Sequence, residues 1–338
     1  MGRGGRAWGA VLLGVIAAAC GGVRQPAPLR PPPPAKYDEA LFDKKPLASY
    51  VIPTPRPGKP AETVVGEVRT VKARETDTLL DLARLYDLGF EQVQAANPGM
   101  DPWVPPVGSR IVLPTAFVLP CCKYDGIVIN IPEMRLYYYR PGPRPDTTLV
   151  ETFPLGLGRG EYRTPIGVFH VKGKTTNPGW GVPERIRLEH LRERNDGRKF
   201  IKGGDPDNPL GKYRLELDRT LYRIHSTNFP WGIGRLVSHG CTQLYPEDMA
   251  HLFPLVPVGT RVEFIYQPVK LGQHDGATWV EAHPDVYRRA GSPSAQATAA
   301  LRKQGVSVDA ERVRAAVASA DGVPRVIERG RWWRWAGL

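Results

Sequence analysis

Ser238-His239-Gly240-Cys241, with His225-Ser226 beginning sixteen positions before the cysteine, is the grouping in this chain best suited to covalent chemistry. The thiolate is the nucleophile, so a cysteine of ordinary pKa, about 8.5, needs a nearby imidazole or positive field to react. The glycine before Cys241 admits a backbone conformation that a Cβ forbids. Consecutive N–H groups at such a turn are able to face a developing oxyanion. His225 and His239 are both of the type that accepts a proton near neutral pH. The plain alternative is a buried structural cysteine beside a hydrogen-bonded core histidine, and the surrounding sequence decides between the two.

At 338 residues the chain exceeds one typical domain, so two or three units are expected. Its one long apolar run lies at the start. Arg3 and Arg6 form a positive segment, Val11 to Ala19 a short apolar one, and small residues lead to Cys20. That pattern predicts a secretory signal over 1–19, too short for a transmembrane helix. Ala17-Ala18-Ala19-Cys20-Gly21 resembles a bacterial lipobox, with Ala17 where leucine is usual, which implies lipidation of Cys20. Ordinary cleavage after Ala19 is the alternative. The net charge of +12 is spread along the chain, and with export it argues against nucleic acid. An acidic envelope polymer or anionic lipid surface is the expected partner class. With Cys20 assigned to lipid and Cys241 to chemistry, the adjacent Cys121-Cys122 remain in an oxidising compartment. A strained vicinal disulfide, two thiols and an interchain pair are all open for them. Nothing nearby has zinc-ligand spacing, so no metal site is expected at them. Cys241 itself has to stay reduced to act.

From Cys20 to residue 65 the chain reads as a linker, proline-rich from Gln25 to about Pro60 and too poor in apolar residues for a core. Residues 66–116 read as a small α+β unit. A strand near Val68 leads to Thr76-Asp77-Thr78 as a polar cap, and Leu79, Leu80, Leu82, Ala83, Leu85 and Tyr86 recur with helical period. A second helix over Phe90 to Ala96 stops at Asn97-Pro98, and Gly108 to Pro114 closes with a strand. Residues 122–268 read as mostly β. Ile127 to Ile131 and Met134 to Tyr139 flank Pro132-Glu133 as a hairpin, and further strands are expected at Thr148 to Leu155, Gly167 to Gly173, Tyr213 to Leu217, Tyr222 to His225 and Thr260 to Tyr266. Pro246 to Leu252 reads as a short helix, and Lys174 to Leu210, polar and rich in Gly and Pro, as a long loop or lid. Residues 269–338 read as a helical extension, with helices over Ala295 to Lys303 and Asp309 to Ala320 and an Arg329 to Trp335 Trp/Arg tail for which packing on the catalytic unit is the favoured reading and contact with membrane or glycan the alternative.

Two family resemblances rest on these marks. The strand-helix-helix-strand order, Asp77-Thr78-Leu79, Asn97-Pro98 and the Gly108 to Pro114 ending resemble a LysM module, which implies binding of peptidoglycan or chitin glycan strands. Thr76 stands where a glycine is usual. Thr164-Pro165-Ile166-Gly167-Val168-Phe169, Ile224-His225-Ser226-Thr227-Asn228, Gly232-Ile233-Gly234 and Val237-Ser238-His239-Gly240-Cys241 resemble the YkuD-type L,D-transpeptidase catalytic domain. That resemblance implies a β-sandwich-like fold and cysteine acyl transfer on peptidoglycan stem peptides, with no metal and no cofactor. It implies Cys241 as nucleophile, His225 as general base, and Ser226 orienting the imidazole through its carbonyl. Ser238, His239 and Gly240 would shape the oxyanion pocket with the Cys241 N–H. His239 is the rival for the base role.

One departure stands out. The family usually has an apolar residue and then arginine or asparagine after the cysteine, whereas this chain has Thr242-Gln243. Gln243 offers hydrogen bonds to a substrate carboxylate or carbonyl but no charge and no fork. Tyr222 and Trp231 are candidate groove aromatics, although aromatics at such positions often belong to a core. The expected function is therefore a lipid-anchored periplasmic L,D-transpeptidase, acting on the diaminopimelate–D-alanine bond of the stem. A diaminopimelate, a wall-anchored protein's lysine or a D-amino acid is its acceptor. The alternatives are a hydrolase on the same scaffold and a catalytically weak lipoprotein tethering outer membrane to wall.

Overall fold

Burial on both faces explains why the central hairpin is apolar without alternation. In the computed structural model, Gly126–Asn130 pairs antiparallel with Arg135–Pro141. Ile127, Ile129, Leu136 and Tyr138 enter one core with Met249 and Leu252 of the Pro246–Leu255 helix. Val128, Tyr137 and Tyr139 enter a second core with Leu79, Leu82 and Phe90 of the small unit. A strand buried on both sides reads as a continuous apolar run.

The structure describes residues 42, 45, 47–55, 62–219, 222–303, 305–306 and 308–329. The 1–19 signal, Cys20, most of the proline-rich stretch and the Trp/Arg tail beyond Arg329 lie outside them. The chain is mostly β, as expected. Its main sheet has nine strands in the order Ser49–Pro53, Thr147–Pro154, Arg135–Pro141, Gly126–Asn130, Arg261–Ile265, Gly167–Thr176, Tyr213–Leu217, Arg223–His225 and Thr242–Gln243. Neighbours run antiparallel except at two places. Gly126–Asn130 lies parallel to Arg261–Ile265, and Arg223–His225 lies parallel to Thr242–Gln243.

The small unit shows the expected order: Arg69–Lys72, Leu79–Leu85, Phe90–Ala96 and Arg110–Leu113, with the outer strands paired antiparallel. Thr78 caps the first helix, its Oγ1 accepting the Asp81 N–H at 3.0 Å. Asn97 ends the second. Its amide donates to the Val93 and Val112 carbonyls and accepts the Val112 N–H, each at 2.8 Å, which ties helix end to closing strand.

Three expectations need correction. Within the linker, Ser49–Pro53 is the edge strand of the main sheet, with Ser49 opposite Glu151. Tyr50-Val51-Ile52 is strand-forming, and Pro53 at the strand end is tolerated on a sheet edge. Within the Lys174 to Leu210 loop lies an eleven-residue helix, Glu184–Arg194, beside a short strand pair, Trp180–Gly181 with Phe200–Ile201. That helix buries only Ile186, so no apolar stripe announces it; its interior lacks Gly and Pro, and Asn195 closes it in the left-handed conformation at φ 55°. The helical extension does contain helices, at Pro293–Lys303 and Ala310–Val317, but they pack on a three-stranded sheet of Val269–His274, Ala277–Ala282 and Arg325–Arg329. Asp275-Gly276, both at positive φ, form the tight hairpin turn between the first two strands.

Candidate active site

Cys241 sits where the Leu236–Ser238 strand turns into Thr242–Gln243. The turn is braced by Ser238, whose Oγ accepts the Gly240 N–H at 3.2 Å and donates to the Cys241 carbonyl at 2.5 Å. Gly240 adopts φ 103°, outside the range of other residues. Gly158 lies against it: a Cβ there would stand 1.9 Å from the Tyr162 carbonyl oxygen and 3.0 Å from the Gly240 Cα. Thr164, from the expected Thr-Pro-Ile-Gly segment, accepts the Gly158 N–H at 3.1 Å. Tyr287 completes this brace, donating to the Gly158 carbonyl at 2.6 Å and accepting the Thr164 N–H at 3.2 Å.

The parallel register sets Ile224 opposite Thr242 and His225 opposite Gln243. Side chains alternate along a strand, so Arg223 and His225 share a face with Cys241 and Gln243, while Ile224 and Thr242 are buried on the other. His225 is itself buried, and its Nδ1 lies 2.5 Å from the Ser226 carbonyl oxygen. A carbonyl only accepts, so Nδ1 carries the proton and Nε2 keeps its lone pair. Burial lowers the His225 pKa to about 4; the cations Arg223 and Arg214 add to this, and the Ser226 and Leu210 carbonyls oppose it. Burial pushes the Cys241 thiol up, against which Arg223 acts through its charge, its guanidinium hydrogen bond and its backbone N–H.

Because the unfolded histidine titrates near 6.5 and the folded one near 4, stability is full above 6.5 and declines as pH falls towards 4. The loss by then is about 3 kcal/mol. Urea unfolding of the wild type and His225→Asn across this window checks it. The variant's curve is expected to lack that part of the decline, and parallel curves would refute the buried neutral state.

His239 faces away from this pair. Its Nε2 lies 3.1 Å from Glu189 of the Glu184–Arg194 helix and 3.3 Å from Arg159, and Tyr162 packs edge-on at 4.5 Å. Arg159 also bonds Glu189 at 2.5 Å, and Arg185 bonds Glu161 at 2.8 Å, so ionic contacts hold this helix to the loop beside the cysteine. Gln243 exchanges backbone hydrogen bonds with Gly156, both at 2.9 Å, and its side chain is half-exposed. Tyr222 packs edge-on against Phe169 at 5.9 Å, and its ring reaches to 4.0 Å from where a Gly240 Cβ would stand. Trp231 is not brought to the groove. It packs into the second core and lines a gap with Leu80, Arg84, Phe90 and Tyr245, because the turn starting at Pro230 rolls it towards the small unit. Cys121 and Cys122 stand as free thiols, the latter pushed up to about 12 by burial.

Among the described residues, Glu133, Glu281 and His283 converge as metal-ligating types do. The Lys270 ammonium occupies their midst, 2.8 Å from Glu133 and 2.9 Å from Glu281, so the cluster is an internal ion network. Arg223, Tyr287, Arg159 and Glu189 are the site's residues that motif reading missed. Arg223 had one available signal, its position two residues before His225 on a strand, which fixes a shared face.

The YkuD: L,D-transpeptidase catalytic domain family matches residues 124–264. Probable L,D-transpeptidase ErfK/SrfK of Escherichia coli is 38% identical over 271 residues, 77% of this chain and 86% of its own length. Probable L,D-transpeptidase YbiS of the same organism is 40% identical over 219 residues, 64% of this chain and 70% of its own. The crystal structure of L,D-transpeptidase 3 from Mycobacterium tuberculosis aligns with 48% of this chain and 73% of its own at 20% identity and a TM-score of 0.30.

Proposed function

Because the chain belongs to the L,D-transpeptidase family, we propose that it transfers the acyl group of a peptidoglycan stem peptide to an amine through Cys241. The observation that carries the reading is the shared strand face of His225 and Cys241, with Nδ1 of His225 tied to the Ser226 carbonyl at 2.5 Å and Nε2 thereby left to accept. In this account His225 Nε2 takes the proton from the Cys241 sulfur, which attacks the carbonyl carbon of the diaminopimelate–D-alanine bond. The tetrahedral oxyanion meets the N–H groups of His239 and Cys241. The Gly240 N–H contributes by keeping the turn closed on Ser238. Collapse breaks the C–N bond, His225 returns its proton to the leaving D-alanine nitrogen, and a thioester remains. An amine then attacks the thioester, His225 accepts a proton from the amine nitrogen and passes it to the departing sulfur, and the thiol is restored. His239, whose Nε2 is taken up by Glu189 and Arg159, shapes the loop. Gln243 and Tyr222 hydrogen-bond and flank the stem peptide.

The remaining parts of the proposal concern placement. The 66–116 unit binds glycan strands as a LysM module, and the 1–19 signal exports the chain to the periplasm. Cys20 carries the lipid that holds the protein to the outer membrane. No helix among the described residues is long and apolar enough to cross a membrane. Incubating the purified protein with sacculi and analysing the released muropeptides tests the reaction. Release of D-alanine with a gain of diaminopimelate-linked dimers, or of stems joined to an added amine, is expected. Loss of existing links without new ones would replace transfer by hydrolysis.

A further inference from the structure

We infer that Arg223 is a catalytic residue, the fixed cation that holds the Cys241 sulfur as an anion for attack. Its placement follows from the register: Ile224 opposite Thr242 sets Arg223 beside Cys241, on the face that also carries His225. From there its charge, its backbone N–H and its guanidinium each act to favour the Cys241 anion. Such charge-assisted contacts favour the ionised partner.

Three observations make this cation the one the thiolate depends on. First, burial disfavours the anion at Cys241, so something must oppose it. Second, His225 titrates near 4, so at neutral pH it is an uncharged base and supplies no standing positive charge. Third, Gln243, which also shares the face, is uncharged. Arg223 is also not spent elsewhere. Among the described residues no carboxylate lies within ion-pair distance of it, and Glu216, opposite it on the neighbouring strand, is bonded to Arg214. Arg214 adds a weaker field on the sulfur from the same strand. The charged and polar groups that share the sulfur's face on the packed strands are thus Arg214 and Glu216 on Tyr213–Leu217, Arg223 and His225 on their own strand, and Gln243 beside it. In the reaction the thiol proton still goes to His225 Nε2, and Arg223 stays protonated throughout.

The inference rests on Cys241 being the nucleophile, and its test is independent of acyl transfer. Alkylation by iodoacetamide is followed on the Cys241 peptide by mass spectrometry as a function of pH, in the full chain. Arg223→Gln is expected to slow alkylation near neutral pH about tenfold and move its midpoint up by about one pH unit. Arg223→Lys is expected to stay close to wild type. A Gln variant with the wild-type profile overturns the inference. If Gln lowers the melting temperature, the Lys variant carries the test, and a loss in Lys as large as in Gln assigns Arg223 to packing instead. A wild-type acyl adduct at Cys241 alongside unchanged alkylation of the Gln variant would defeat the role of Arg223 alone.

Discussion

Cys241→Ala is expected to abolish D-alanine release from a tetrapeptide stem, by on the order of 10⁴-fold or more, while the protein stays folded. The sulfur is the only atom removed, from a half-buried position whose neighbours are held by backbone bonds, so the cost to stability is about 1 kcal/mol. The chemical cost is far larger because no other group replaces the thioester. Ser238 is the nearest hydroxyl in sequence, but its Oγ is committed to the Gly240 N–H and the Cys241 carbonyl. His225→Gln is expected to lose about 10²- to 10⁴-fold, the range of a general base. The double variant is expected to be no slower than Cys241→Ala, since base and nucleophile act as one unit. Comparable activity in Cys241→Ala and wild type would remove the thiol from the mechanism. Additive losses in the double variant would mean His225 acts elsewhere.

Lys270→Met is expected to give the largest loss of stability, about 3–5 kcal/mol, because it leaves two buried carboxylates without their cation. Lys270, Glu133 and Glu281 have fully buried side chains. Tyr137 donates to Glu133 at 2.5 Å, Asn130 donates to it at 3.0 Å, and His283 lies 2.6 Å from Glu281. The Val118 N–H donates to the other Glu281 oxygen at 2.5 Å. The network thus joins the strand leaving the small unit, the central hairpin and the C-terminal sheet. Burial acts to raise the Glu133 pKa, but Lys270 and its other cationic neighbours hold it at about 2. A depressed carboxylate contributes stability above its unfolded pKa, near 4.5, and loses it as pH falls through about 2. Thermal unfolding at neutral pH is expected to show a fall in Tm of about 10 °C for Lys270→Met. The acid-side decline is expected to be displaced in Glu133→Gln. An unchanged melting temperature in Lys270→Met would mean that the cluster relaxes to admit water.

Much of this was legible in residue order, for identifiable reasons. Leu79 to Tyr86 carries a helical period behind a Thr78 cap, and Ile127 to Tyr139 carries two apolar runs around Pro132-Glu133, so local preference and tertiary environment agree. The turn at Gly240-Cys241 was legible because only glycine suits its φ of 103°. Elements stabilised by ion pairs or by a distant partner strand were not. The Glu184–Arg194 helix gathers no apolar stripe, leaving Leu188 and Leu191 exposed, and is fastened by Glu189 and Arg185. Ser49–Pro53 sits in a proline-rich context and becomes a strand only because Thr147–Pro154 offers it an open edge. Trp231 lies one residue before the Gly232-Ile233-Gly234 segment, yet it faces the small unit, a choice set by the fold around Pro230. Arg223 lay within reach of reading, because strand alternation from His225 places it. Its placement beside Cys241, however, depends on a parallel pairing that no local pattern reveals.

The mass of the intact protein after incubation with a carbapenem tests the central claim most directly. Attack of the Cys241 sulfur on the β-lactam carbonyl opens the ring without a leaving group, so the protein should gain the mass of the whole drug, on the peptide that carries Cys241. No adduct on the wild type, or an adduct that persists in Cys241→Ala, would contradict the assignment of Cys241 as the nucleophile.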